Sequence, residues 1–269
     1  MDDPRRLINP HLTPTLVDAQ ATHYPNMIQI YIPKHPILRN PTGVKKTKHQ
    51  SLEEEAGIYA KEKNQERSIR RAKKKIGDYI LCNSFDLFAT FTIRDDRQNS
   101  DHSKQKVLNW LKNQRNRKGK FQYVIVPEFH KDLRSLHFHA LLGNYTGTIE
   151  KAINPKTGHQ LKQHGRNVSQ IGGYTLGFTN VMHVNDKPID RSKLSAYLKK
   201  YITKDMPSFH GRQRYWASKG LILPELEDNP DEWYKHATPD WIQENDNGTI
   251  MRFDLNKNAL VDIISRFKD

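Results

Sequence analysis

The chain has 269 residues, 28 % of them charged, with a formal net charge of +14 and a pI near 9.7. Mean hydropathy of −0.85 and 35 % hydrophobic content leave room for a modest core with polar flanks, and no apolar run approaches the roughly 18 residues of a membrane span. One cysteine, Cys82, excludes an internal disulfide framework and a multi-cysteine zinc site; with no apolar signal segment in Met1–Pro10, a reducing, cytoplasmic setting is expected.

The charge is unevenly spread. From Glu225 to Asp269 eleven acidic residues face five basic ones, a balance of −6, so the preceding 224 residues carry +20. A body that basic points to a polyanionic partner, nucleic acid first.

Residues 1–50 contain seven prolines and no sustained periodicity. Pro25, Pro33, Pro36 and Pro41 forbid a long helix, and an extended, poorly ordered arm is expected. Ser51-Leu52-Glu53-Glu54 resembles a capping box and opens a long helix to about Ile80. Between Lys61 and Lys75 that helix holds eight Lys/Arg against two Glu. Such a run reads equally as a solvated face or as a phosphate-contacting helix, with Arg70, Arg71, Lys73 and Lys74 as candidates.

Phe85–Ile93 is aromatic and β-branched and reads as a buried strand. A helix over about 102–117 follows, placing Val107, Leu108 and Leu111 on one side. It ends among Arg115, Arg117 and Lys118, with Gly119 as its stop signal.

Phe121–Phe129, carrying Glu128, is a second strand, and Leu136–Leu142 a third. On a strand, residues two apart share a face, so His137 and His139 point one way while Phe138, Ala140 and Leu142 enter the core. A hairpin would bring Glu128 beside both imidazoles, giving three metal ligands with open positions.

Residues 144–178 read as a loop or hairpin excursion, and 180–184 as a short strand in which His183 is structural. Asp190-Arg191-Ser192 is a cap for a helix in which Leu194, Tyr197, Leu198, Tyr201 and Ile202 form one stripe, stopped by Pro207. Residues 209–221 interleave Arg212, Arg214 and Lys219 with Phe209, Tyr215 and Trp216. That suits single-stranded nucleic acid, and suits a Trp-anchored connector as well. A last helix is expected over 256–267. The fold class is α+β: a mainly antiparallel sheet with helices on one face. Residues 51–224 form the main domain, between the arm and an acidic extension, 225–269.

Tyr197 and Tyr201, four residues apart, project from one helical face, with Lys200 between them and Lys204 one turn on. A phenol titrates near pH 10 and needs help to act as a nucleophile. A bound divalent ion would stabilise charge at phosphorus, and a nearby ammonium favours the phenolate. Together these groups suffice for transesterification: the tyrosine attacks phosphorus and a 3′-hydroxyl leaves.

In that order, carboxylate, His-Phe-His and Tyr-x-x-Lys-Tyr, the chain resembles rolling-circle replication initiators of the HUH endonuclease superfamily, two-tyrosine type. Phe88–Asp96 resembles the family's first motif, and residues 70–83 and 214–221 resemble segments flanking its core. The resemblance covers about residues 67–224. It implies an HUH/RRM-like palm with helical and irregular extensions, using Mn²⁺ or Mg²⁺ held by His137, His139 and Glu128. It implies nicking of single-stranded or hairpin origin DNA through a 5′-phosphotyrosine, with Tyr197, Tyr201 and Lys200 catalytic, in a bacterial, archaeal or virus-infected cell. The sequence contains no GxxxxGK[ST] loop, so a host helicase is expected to unwind and a host polymerase to extend. Two-tyrosine transposases and relaxases share this chemistry, although the relaxase three-histidine pattern and N-terminal tyrosine are not seen. A non-enzymatic nucleic-acid-binding module is the alternative of another class.

Overall fold

The structure, a computed structural model, describes residues 15–39, 54–95, 98–130, 132, 134–163, 165–184, 188–207, 209 and 213–265. Its strands and helices begin with β1 (Thr15–Val17), β2 (Gln20–Tyr24), β3 (Met27–Pro33) and β4 (Ile37–Arg39). Next come α1 (Glu54–Cys82), β5 (Leu87–Thr92), α2 (Ser100–Lys118), β6 (Gln122–Phe129) and β7 (Leu136–Gly143). An excursion holds β8 (Ile149–Lys151), β9 (Lys162–Gln163), β10 (Arg166–Asn167) and β11 (Ser169–Ile171). It leads to β12 (Thr179–His183), α3 (Pro188–Lys199) and β13 (Trp216–Ala217). The chain ends with β14 (Glu225–Asp228), β15 (Trp241–Asn245), β16 (Gly248–Asp254) and α4 (Asn258–Ser265). The class is α+β with mainly antiparallel sheets, as the sequence indicates.

Two compact units result, one spanning Glu54–Leu223 and the other combining Met1–Glu53 with Pro224–Asp269. In the second unit, β2 and β3 lie inside a five-stranded sheet of order β14-β2-β3-β16-β15. Residues 15–39 are therefore strands and not an extended arm, and the acidic stretch supplies their sheet partners. Its core is Ala21, Ile28, Ile30, Trp233, Phe253 and Leu260.

The first unit is built on a seven-stranded sheet of order β13-β6-β7-β5-β12-β11-β8, antiparallel at every pairing. Alternation along the strands sends side chains to two cores. On one face Leu87, Ala89, Phe91, Phe138, Ala140 and Leu142 pack with Val107, Trp110 and Leu111 of α2. On the other, Phe88, Val124, Val126 and Leu141 pack with Ile76 and Ile80 of α1 and with Leu198 and Ile202. Helices thus cover both faces, where one was expected: the sheet is apolar on both sides, and each side needs a cover.

Local signals account for most boundaries. Asn99 caps α2 by accepting from the His102 N–H at 3.1 Å, and Gly119 leaves it at φ 103°. The expected capping residues 51–53 of α1 lie outside the described residues. Helix α3 opens at Pro188, so Asp190-Arg191-Ser192 lies inside it, not before it. It also ends early, at Lys199. Residues 200–202 continue with N–H donation to the carbonyl three residues back (Lys200 to Tyr197, Tyr201 to Leu198, Ile202 to Lys199), a tightened last turn. No described helix is long and apolar enough to cross a membrane.

Candidate functional site

Strand register assembles the site. Glu128 lies opposite His137 and Val126 opposite His139 on the β6–β7 ladder, while β5 places Thr90 opposite His139 and Thr92 opposite His137. By alternation these polar side chains share the sheet face that carries α1 and α3. The hairpin turn is held by Asp132, whose carboxylate accepts from the Arg134 and Ser135 N–H groups and from the Ser135 hydroxyl. Those bonds, the Ser135 hydroxyl first, hold the Asp132 carboxyl well below the usual carboxylate range.

His139 is buried and saturated. Its Nε2 lies 2.7 Å from Glu128 Oε2, and its Nδ1 3.2 Å from Thr90 Oγ1. The neutral ring with Nε2–H donating to the carboxylate and Nδ1 accepting from the threonine satisfies both contacts. Phe88 stacks on one side at 5.9 Å between centroids, and Tyr201 on it at 3.8 Å and 10° between planes. The His137 ring is 6.5 Å from that of His139 and closer, at 4.7 Å, to His130. Burial first, then the neighbouring His130 and His139, lowers its affinity for a proton.

The expected metal ligands are thus brought together in part. Glu128 and His139 touch, and His137 shares their face but turns toward His130. Among the described residues no three His, Cys, Asp or Glu side chains are gathered closely enough to hold an ion. Two imidazoles and a carboxylate nonetheless match a divalent cation in donor type and in register, with His137 needing to turn toward the pair.

Both tyrosines reach the same place. Although Tyr201 lies past the end of α3, the tightened turn keeps it beside Tyr197, and its hydroxyl donates to the Tyr197 hydroxyl at 2.7 Å. Tyr197 is 42 % exposed, edge-on to Phe88 at 5.3 Å. The Lys200 ammonium lies 5.6 Å from the Tyr197 ring centroid. Tyr201 is half-buried, and desolvation, followed by its bond to Tyr197, raises its phenol well above the ordinary value.

Residues 86–206 match the model of a family of replication-associated proteins, ORF2 among them. This segment belongs to that replication-associated family. No curated protein and no solved structure matches the chain. The family supports a replication-initiator role with DNA as partner. The matched segment includes Glu128, His137, His139, Tyr197, Lys200 and Tyr201, and ends before Trp216.

The expected DNA contacts divide into groups. Arg71, Arg115, Arg214 and Trp216 line one large groove. Arg70, Lys73 and Lys204 line a smaller cavity beside Ile202 and Thr203, where Lys204 also pairs with Glu66 at 2.9 Å. Lys74 is paired with Asp78 of its own helix at 3.2 Å. Arg117 is exposed at the end of α2, outside the groove, and Arg212 lies outside the described residues. His183 is exposed on β12. Sequence reasoning did not single out Thr90, Phe88 or His130. The first two were findable, because Phe88 and Thr90 alternate on β5 as His137 and His139 do on β7.

Proposed function

We propose that this chain starts rolling-circle replication by nicking single-stranded origin DNA through a covalent tyrosyl intermediate. The observation that carries the reading is the stack of Tyr201 on His139, with the Tyr197 hydroxyl 2.7 Å from that of Tyr201. Nucleophile candidates and metal-ligand candidates thereby meet on one sheet face.

Tyr197 is the better first nucleophile. Its oxygen is exposed and accepts a hydrogen bond, whereas the Tyr201 hydroxyl is engaged as donor. The Tyr197 oxygen attacks phosphorus, a phosphotyrosine bond forms and the P–O3′ bond breaks. The phenol gives up its proton and the departing 3′ oxygen gains one, so no nucleotide or water is consumed. Lys200 stabilises negative charge at the phenol oxygen. When bound, a divalent ion, Mn²⁺ or Mg²⁺, supplies charge neutralisation at the phosphodiester; Glu128, His137 and His139 would hold it. The 3′-hydroxyl remains for a polymerase to extend, and its attack on the phosphotyrosine rejoins the strand. Tyr201 is placed to perform a second transfer.

The test is a denaturing gel of the protein incubated with labelled single-stranded DNA from its own replicon, with Mn²⁺ or with EDTA. A metal-dependent covalent band, lost in the Tyr197→Phe/Tyr201→Phe double variant, is expected. No band on any segment of that replicon, from folded protein that still binds DNA, would leave a binding module.

A further inference from the structure

A groove of about 1320 Å³ opens at the β13 edge of the seven-stranded sheet. That exceeds the roughly 300–1,000 Å³ of small-molecule pockets. Helix α1 contributes Arg71 and Lys75, and helix α2 contributes Lys112 and Arg115. Lys120, Arg214 and Lys219 complete the cationic lining, and none of the described lining residues is acidic. The same walls carry Tyr79, Tyr123, Tyr215 and Trp216. Several cations are fixed before any ligand arrives: Lys75 sits 5.4 Å from the Tyr79 ring centroid and Arg115 5.8 Å from that of Tyr123. The Arg214 Nη1–H donates to the Thr203 carbonyl at 3.1 Å and its Nε–H to the Ser68 hydroxyl at 3.3 Å.

We infer that this groove is a second nucleic-acid site, which holds a single strand apart from the tyrosines and leads it round the sheet edge. The chemistry required is a polyanion with flat apolar groups: phosphates for the cations, bases for the four rings. A concave channel takes a single strand, whereas a duplex is read by elements that protrude into its grooves. Strand β6 links the two places. Tyr123 and Glu128 are five residues apart, about 17 Å at ~3.4 Å per residue, and face opposite sides of the sheet. The α1 wall lies on the tyrosine side and the α2 wall on the other, so the groove spans both faces. Most of its lining, residues 68–79 and 213–219, is outside the segment that matches the replication-associated family. The site rests on the nickase reading only for the identity of the strand, not for its binding.

The test uses the full chain carrying Tyr197→Phe and Tyr201→Phe, in EDTA, so that binding is read without cleavage. Anisotropy of a labelled oligothymidine is followed across salt concentrations. Adding Lys75→Glu, Lys112→Glu and Lys219→Glu should weaken binding at least tenfold at low salt. It should also flatten the salt slope by about 2, at ~0.7 for each phosphate of a single strand that is no longer neutralised. Lys151→Glu, Lys156→Glu and Lys162→Glu change the charge equally at or beyond the opposite, β8 edge, and should leave binding within twofold. Equal weakening by both sets, or none by the first with melting unchanged, would overturn the groove. On protein without the lysine changes, a 5-iododeoxyuridine oligonucleotide should photocrosslink at Tyr79, Tyr123, Tyr215 or Trp216. Adducts confined to other residues would overturn it too. Tighter binding of a duplex of equal length would overturn the single-strand assignment. Because nothing is cut in these experiments, a failed covalent band and a failed groove are separate results.

Discussion

Glu128 and His139 are joined diagonally across the β6–β7 ladder. The residue opposite Glu128 is His137, yet the Glu128 carboxylate bonds to the His139 Nε2 at 2.7 Å. The diagonal leaves His137 to pack against His130 and fixes His139 between Glu128, Thr90 and the Tyr201 ring. One buried imidazole is thereby the organising point of the site, and the tyrosines are placed by reference to it.

The tyrosine hydrogen bond predicts an unequal pair. Tyr197→Phe removes the exposed oxygen and should abolish the first covalent adduct. Tyr201→Phe removes only the donor to that oxygen. A net hydrogen bond of ~0.5–1.5 kcal/mol corresponds to a slowing of roughly two- to tenfold. Single-turnover adduct formation on a gel measures both. A Tyr201→Phe protein that forms no first adduct, while Tyr197→Phe does, would reverse the order.

Thr90→Val keeps shape and removes the hydroxyl that the His139 Nδ1 accepts from. Partners one shell out from a metal ligand orient it, and their loss typically costs ~10–100-fold in affinity. The Mn²⁺ concentration needed for half-maximal adduct should rise by a factor in that range, with saturating activity largely kept. An unchanged Mn²⁺ requirement would mean that Thr90 does not orient a ligand.

The strands and the helix that carry the site were legible because their patterns are local. Strand alternation separates His137 and His139 from Phe138 and Ala140, and the i, i+4 spacing puts the tyrosines together. The terminal unit was not legible. Its strands pair across the length of the chain, His23 with Glu225 and Ile28 with Phe253, and periodicity over a few residues carries no such information. The prolines misled for a definite reason. Pro25 sits in the turn between β2 and β3, Pro33 ends β3, and Pro36 lies between β3 and β4, positions where a missing N–H disturbs little of the ladder. The groove was half legible: the basic run on α1 and the aromatic segment at 213–216 were visible, but not that Lys112, Arg115 and Tyr123 join them.

His137 gives a pH dependence with a defined sign. Burial lowers its folded proton affinity below the unfolded value. Its neutral form therefore stabilises the fold above about pH 6.5, the ordinary histidine value. That contribution is lost as pH falls through 6.5 toward the lower folded value, because the unfolded chain takes up the proton first. In metal-free buffer, urea midpoints at pH 8 and 5.5 should differ by less for His137→Gln than for the unsubstituted protein. Equal differences would place the acid sensitivity elsewhere.

Leu198 tests whether the tyrosines are held by the core or by their own contacts. It is fully buried between them in sequence, packed with Ile76 and Phe88 on the helix-covered sheet face. Leu198→Ala should cost ~2–5 kcal/mol of unfolding free energy, read from urea denaturation. It should also slow adduct formation under conditions where the protein remains folded, because an ångström-scale loosening of α3 moves both phenols off His139. Leu260→Ala, in the core of the other unit, is the matched control: it should lower stability and leave the adduct rate of folded protein unchanged. If both variants leave that rate alone, the stack of Tyr201 on His139 holds the pair without help from the core beneath it.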